Sequence, residues 1–212
     1  MNDAALELEV AWKRHIAADT RLLDALLARH REQHRRYHDT THVAWVLRHV
    51  EELAAGEPVK HLDEIVAAAF YHDAVHEPAH PANERASARL ARRDLATLGW
   101  TDAAVERVGR MIEATAHLEA TPEAPSTDTA VLLDADLAVL GADPAAYAAY
   151  VTGIREEYRH VDDAAWRTGR GEVLRRFLDR PRIFSTSSGR ERWEQRARAN
   201  LTAELATLSP PR

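Results

Sequence analysis

Adjacent His72 and Asp73 pair an imidazole with a carboxylate, two good donors for a divalent cation. They close the apolar run Ala67-Ala68-Ala69-Phe70-Tyr71. In a chain with 12 His such a pair carries weight only with further donors. His42 lies upstream on a separate predicted helix, and Asp136 lies downstream on a third, two residues after Asp134. Each sits beside an apolar helical stripe, where an unpaired polar group is costly. Asp134 and Asp136 point roughly 200° apart on a helix, so both are not expected to serve one cation.

These donors stand within a longer ordered pattern. It runs Arg36-Tyr37-His38-Asp39-Thr40-Thr41-His42, Phe70-Tyr71-His72-Asp73-Ala74-Val75-His76, Asn83-Glu84-Arg85-Ala86-Ser87-Ala88 and Thr115-Ala116-His117. Asp134-Ala135-Asp136-Leu137-Ala138-Val139-Leu140-Gly141, Ile154-Arg155-Glu156-Glu157-Tyr158 and Ala197-Arg198-Ala199-Asn200-Leu201 follow. The pattern resembles the HD superfamily of metal-dependent phosphohydrolases, in particular a bacterial branch known as predicted metal-dependent HD phosphohydrolases. The resemblance runs from about Trp12 to Glu204.

That resemblance implies a single all-α HD domain over residues 1–212, with one cation held by His42, His72, Asp73 and Asp136. The HD pattern puts the last ligand at Asp136, with Asp134 as the fallback. Two imidazoles and two carboxylates suit Mn, Fe, Co, Ni or Zn better than Ca. The implied reaction is hydrolysis of a nucleotide or other small phosphomonoester by a metal-activated water. Glu84, His76 or Glu77 is expected as the base, and some HD phosphatases carry a Glu three positions after the Asp of the pair, where this chain has His76. His38, His117 and Arg155 are expected near the phosphate, each with a structural alternative. For His38 that is a hydrogen bond, for His117 a helix C-terminus, and for Arg155 a salt bridge to a neighbouring Glu. Two other readings compete: a non-catalytic metal- and nucleotide-binding sensor, and a dinuclear-iron oxygenase using the spare imidazoles of His38, His76 and His117.

The elements that must position these groups are all helical. Leu6, Val10 and Ile16, with Trp12 nearby, predict a first helix, and Leu22, Leu23, Leu26 and Leu27 a second. Residues 32–39 read as a polar, His-rich loop. Thr40 or Thr41 is expected to cap a helix whose stripe is Val43, Val46, Leu47, Val50 and Leu53. His42 then falls in its first turn. A central helix is expected from Asp63 to about Asp73–His76, and another from Asn83 to a stop at Gly99. Asp102 is expected to cap the next, which His117 closes, and residues 118–128 read as a loop. A short apolar helix over 130–140 follows. Asp143-Pro144 opens a further one, and helices over 166–178 and 190–208 complete roughly nine or ten.

Composition bounds the rest. The 212 residues carry a net charge of −6, which argues against broad nucleic-acid binding. Cysteine is absent, so disulfides are excluded. The N-terminal residues are acidic where a signal peptide is basic, and no apolar run approaches the roughly 20 residues of a membrane span. A cytoplasmic protein is the resulting expectation. No Walker or dinucleotide-binding glycine loop is present.

Overall fold

A computed structural model describes residues 3–78, 80–116 and 125–208. Its ten α-helices are α1 (Asp3–His15), α2 (Arg21–His30), α3 (Thr40–Ala54), α4 (Leu62–Tyr71), α5 (Asn83–Thr97), α6 (Asp102–Ala114), α7 (Thr127–Leu137), α8 (Pro144–Glu157), α9 (Asp163–Leu178) and α10 (Ser187–Leu208). A 3-10 turn, Ala138–Gly141, continues α7. The all-α expectation holds: no strand occurs among the described residues.

The arrangement centres on α4, which packs against α1, α3, α5, α6 and α7. Every residue from Glu64 to Tyr71 is buried, so this helix is enclosed on all sides. Trp12 of α1 stands edge-on to Phe70, with ring centroids 5.4 Å apart at 88°. The predicted stripe of α3 is buried throughout. Beyond α7, α10 packs on the 3-10 turn and on α9. Asn200 Nδ2 donates to the carbonyls of Leu140 and Ala142 at 2.9 and 3.0 Å, satisfying groups left open where α7 gives way to the tighter turn.

Several boundaries differ from the sequence expectation. In α1 the inward residues are Leu8 and Trp12, while Leu6 and Val10 are exposed. The two candidate stripes are offset by two residues, and burial of the large Trp12 ring selects the second. Asp39, not Thr40 or Thr41, caps α3, accepting from the backbone N–H groups of Thr41 and His42. Thr101, not Asp102, caps α6. The central helix ends at Tyr71, and His72 is its C-cap. No single helix among the described residues is long and apolar enough to cross a membrane.

Candidate metal centre

Three helix ends converge on one point. His42 comes from the first turn of α3, His72 and Asp73 from the C-terminus of α4, and Asp136 from the last turn of α7. His42 Nε2 and His72 Nε2 are 3.1 Å apart. Asp73 Oδ2 lies 3.4 Å from the first and 3.1 Å from the second. Asp136 Oδ1 lies 3.3 and 3.6 Å from the same two atoms. Donors about 2.0–2.2 Å from a common cation sit about 3.0–3.4 Å from one another. His42, His72 and Asp73 keep to that spacing and form a group that could hold a metal ion, with Asp136 beside them at 3.3 Å from His42 and 3.6 Å from His72. The two imidazoles are closed off behind, and the two carboxylates are partly open to a cavity.

The protonation chemistry fits the same description. His72 Nδ1 faces the Ala69 carbonyl at 2.9 Å; donating to it leaves the Nε2 lone pair turned to the site. Two ring nitrogens at 3.1 Å with lone pairs facing each other repel unless a proton or cation lies between them. Burial pushes both imidazoles down, but the carboxylates of Asp73 and Asp136 outweigh it and raise them. Burial works to raise the Asp73 carboxyl in turn, yet the imidazoles of His72, His38 and His42 hold it well below the usual carboxylate range.

Asp134 does not join this group. Its carboxylate is buried and accepts from the backbone N–H of Ser185 at 2.8 Å, and from both the N–H and hydroxyl of Thr186 at 2.7 Å. It ties α7 to the segment entering α10. Of the two acids, Asp136 is the one beside His42 and His72.

A second buried group, His38, His76 and Glu157, lies next to the first and is also of a kind that could hold a metal ion. Glu157 Oε1 accepts from three consecutive backbone N–H groups, those of Arg36, Tyr37 and His38, at 2.8, 2.8 and 3.0 Å. Its Oε2 lies 2.7 Å from His38 Nδ1 and 3.3 Å from His76 Nε2. Burial would raise this carboxyl, but these donors hold it far below the ordinary range. Glu157 is thereby well supplied with protein donors and fixes the loop before α3. Donation from His38 Nδ1 leaves His38 Nε2 facing Asp73 Oδ2 at 4.0 Å.

Sequence reasoning gave Glu157 no role, and it passed over Arg35. The Arg35 guanidinium is fully enclosed and donates to the carbonyls of His38, Asp73 and Ala74, joining the loop to the residues after α4. The signal for Glu157 was present: it shares the buried face of α8 with Tyr147 and Ile154, where a carboxylate needs partners.

A cavity of about 730 Å³ opens over Asp73 and Asp136, lined also by His38, His76, Glu84 and Arg170. Two of the described residues expected as base or phosphate contact do not line it. Glu77 is exposed, and its backbone is clasped by the Asn83 side chain. Arg155 donates to the carbonyls of Tyr158 and Val161 and to Asp163, and stacks on Trp166, so it joins α8 to α9. Its partner is an Asp across a turn, not the neighbouring Glu expected. His117 lies outside the described residues, as does most of the expected loop over 118–128.

Comparison with protein-family models, with curated proteins and with solved structures finds no match to this chain.

Proposed function

We propose that this protein is a metal-dependent phosphohydrolase of the HD type, acting on a nucleotide or other small phosphomonoester. The observation that carries the reading is the set of four donor atoms from His42, His72, Asp73 and Asp136, 3.1–3.6 Å from one another where measured, at the edge of a ligand-sized cavity. A divalent transition metal bound there supplies Lewis acidity toward a phosphoryl oxygen and makes water more acidic.

The chain's own groups supply the rest. His38, held by Glu157 through Nδ1, presents Nε2 beside Asp73 as an acceptor for the proton of an attacking water. Glu84 is a second carboxylate on the cavity wall. His76 packs on His38, with ring centroids 4.1 Å apart, and keeps that ring in place. A two-metal reading, including the iron oxygenase, draws on the second buried group. We favour one metal, because Glu157 Oε2 already faces His38 Nδ1 at 2.7 Å, a hydrogen bond that a second cation would have to displace.

Elemental analysis of protein purified without added metal, beside Asp73→Ala, tests the reading. About one transition metal per wild-type chain, lost in the variant, together with phosphomonoester hydrolysis by the wild type alone, is the expected result. Two irons per chain with oxygen uptake would replace it with the oxygenase. Ligand binding without turnover would replace it with the sensor.

A further inference from the structure

The cavity has two unlike ends. One carries the donor groups with His38 and Glu84. The other lies among the 3-10 turn, α8 and α9, and its wall is apolar: Val139, Ile154, Trp166, Val173 and Phe177. Tyr37 and Tyr150 connect the two. The Tyr37 ring is 4.8 Å from that of His42 and 4.7 Å from that of Tyr150.

The charge on this wall is already compensated. Arg170 is the single Arg or Lys among the described lining residues. Its Nε and Nη2 donate to the Glu204 carboxylate at 2.8 and 3.1 Å, its Nη1 donates to the Tyr150 hydroxyl at 3.2 Å, and it is 8% exposed. Tyr147 donates to the same carboxylate. At the donor end, the carboxylates of Asp73 and Asp136 balance one divalent cation, and Glu84 adds negative charge. Apart from the side chains of His76, His80, Asn83 and Thr115, a second or third phosphate would therefore meet either an apolar wall or a carboxylate. Both are unfavourable for an anion.

Resting on the phosphohydrolase reading above, we infer that the substrate is a phosphomonoester with one phosphate and a neutral, apolar body, aromatic or branched aliphatic. The phosphate sits at the donor end and the body in the chamber between α8 and α9. Nucleoside triphosphates, alarmones and cyclic dinucleotides fall outside this class.

The test uses the full chain loaded with Mn and three probes: 2-phenylethyl phosphate, glycerol 1-phosphate and GTP. The first two release primary alkoxides, so their difference reports the body more than the leaving group. Burying the phenyl ring predicts a kcat/KM about tenfold to a hundredfold higher for 2-phenylethyl phosphate than for glycerol 1-phosphate. Trp166→Ala and Val173→Asn should each narrow that ratio. Equal or faster turnover of glycerol 1-phosphate or GTP, or a ratio unchanged in both variants, overturns the inference and leaves the phosphohydrolase reading standing. Calorimetric titration with 2-phenylethylphosphonate and methylphosphonate separates the remaining cases. Preference of at least about tenfold for the first, without turnover of any probe, keeps the ligand class and removes the hydrolase. No preference and no turnover overturns both.

Discussion

Glu157 Oε2 and His38 Nδ1 lie 2.7 Å apart across 119 residues of chain, and this bond decides which nitrogen of His38 faces the cavity. An acceptor at Nδ1 holds the proton there and leaves Nε2 as a base. Glu157→Gln keeps an oxygen for the backbone N–H groups but offers His38 an amide donor. The tautomer should invert, Nε2 should become a donor, and kcat should fall by about a hundredfold or more with the fold retained. The nitrogen shifts of His38 in an NMR spectrum report the tautomer directly; an unchanged tautomer with unchanged kcat would exclude this role.

Glu157→Ala goes further, leaving three backbone N–H groups and an imidazole without an acceptor. Stability should drop by at least about 3 kcal/mol in urea unfolding. Because the folded carboxyl is held far below its ordinary value of 4.5, wild-type Glu157 adds stability that is present above that pH. This contribution is lost as the pH falls below it, and the variant should lack that part of the acid loss.

Asp134 and Asp136 should separate cleanly. Asp136→Asn is expected to weaken metal retention, with little change in the melting temperature of the metal-free protein. Asp134→Asn is expected to keep the metal but lose about 1–3 kcal/mol, since the Asn oxygen cannot serve Ser185 and Thr186 as the carboxylate does. Elemental analysis beside thermal melts reads both; the reverse pattern would move the ligand to Asp134.

His30, outside the donor set, gives a second pH dependence. It is buried at the end of α2, and its burial, followed by the Arg35 charge, pushes the imidazole down to about 3. From its ordinary 6.5 downward, the unfolded chain takes up a proton that the folded chain refuses. Stability should therefore decline as the pH falls from about 6.5 toward 3, by at most about 1.4 kcal/mol per unit from this group. His30→Gln should show a shallower decline in unfolding free energy between pH 7 and 5; parallel curves would rule out the assignment.

Arg155→Ala should lower stability by about 1 kcal/mol, through the lost bonds to Tyr158, Val161 and Asp163, and leave KM unchanged. A raised KM with normal stability would return Arg155 to the phosphate. Gly141→Ala tests the turn that shapes the cavity wall. A Cβ there would stand 2.9 Å from the Cα and carbonyl oxygen of Trp193, backbone that cannot move aside, and a loss of about 1–3 kcal/mol is expected.

The local pattern of the chain was enough to place the helices to within a few residues and to single out His42, His72 and Asp73 as candidate donors, while the choice of Asp136 over Asp134 came from the family resemblance. Periodicity near 3.6 reports which face is buried wherever one stripe is clearly more apolar, as in α3, and the adjacency of His72 and Asp73 is visible without any fold. It faltered in α1, where two stripes two residues apart compete and only the fit of Trp12 against Phe70 and Tyr71 decides. Which polar groups meet was decided by tertiary structure alone. Glu157 finds His38 across the chain, Arg35 finds the carbonyls after α4, Arg170 finds Glu204, and Arg155 turns to Asp163 instead of the cavity. Hydrophobic spacing encodes burial, which each helix expresses by itself. A polar partner is set by how separate helices dock, and that depends on the summed packing of the whole core.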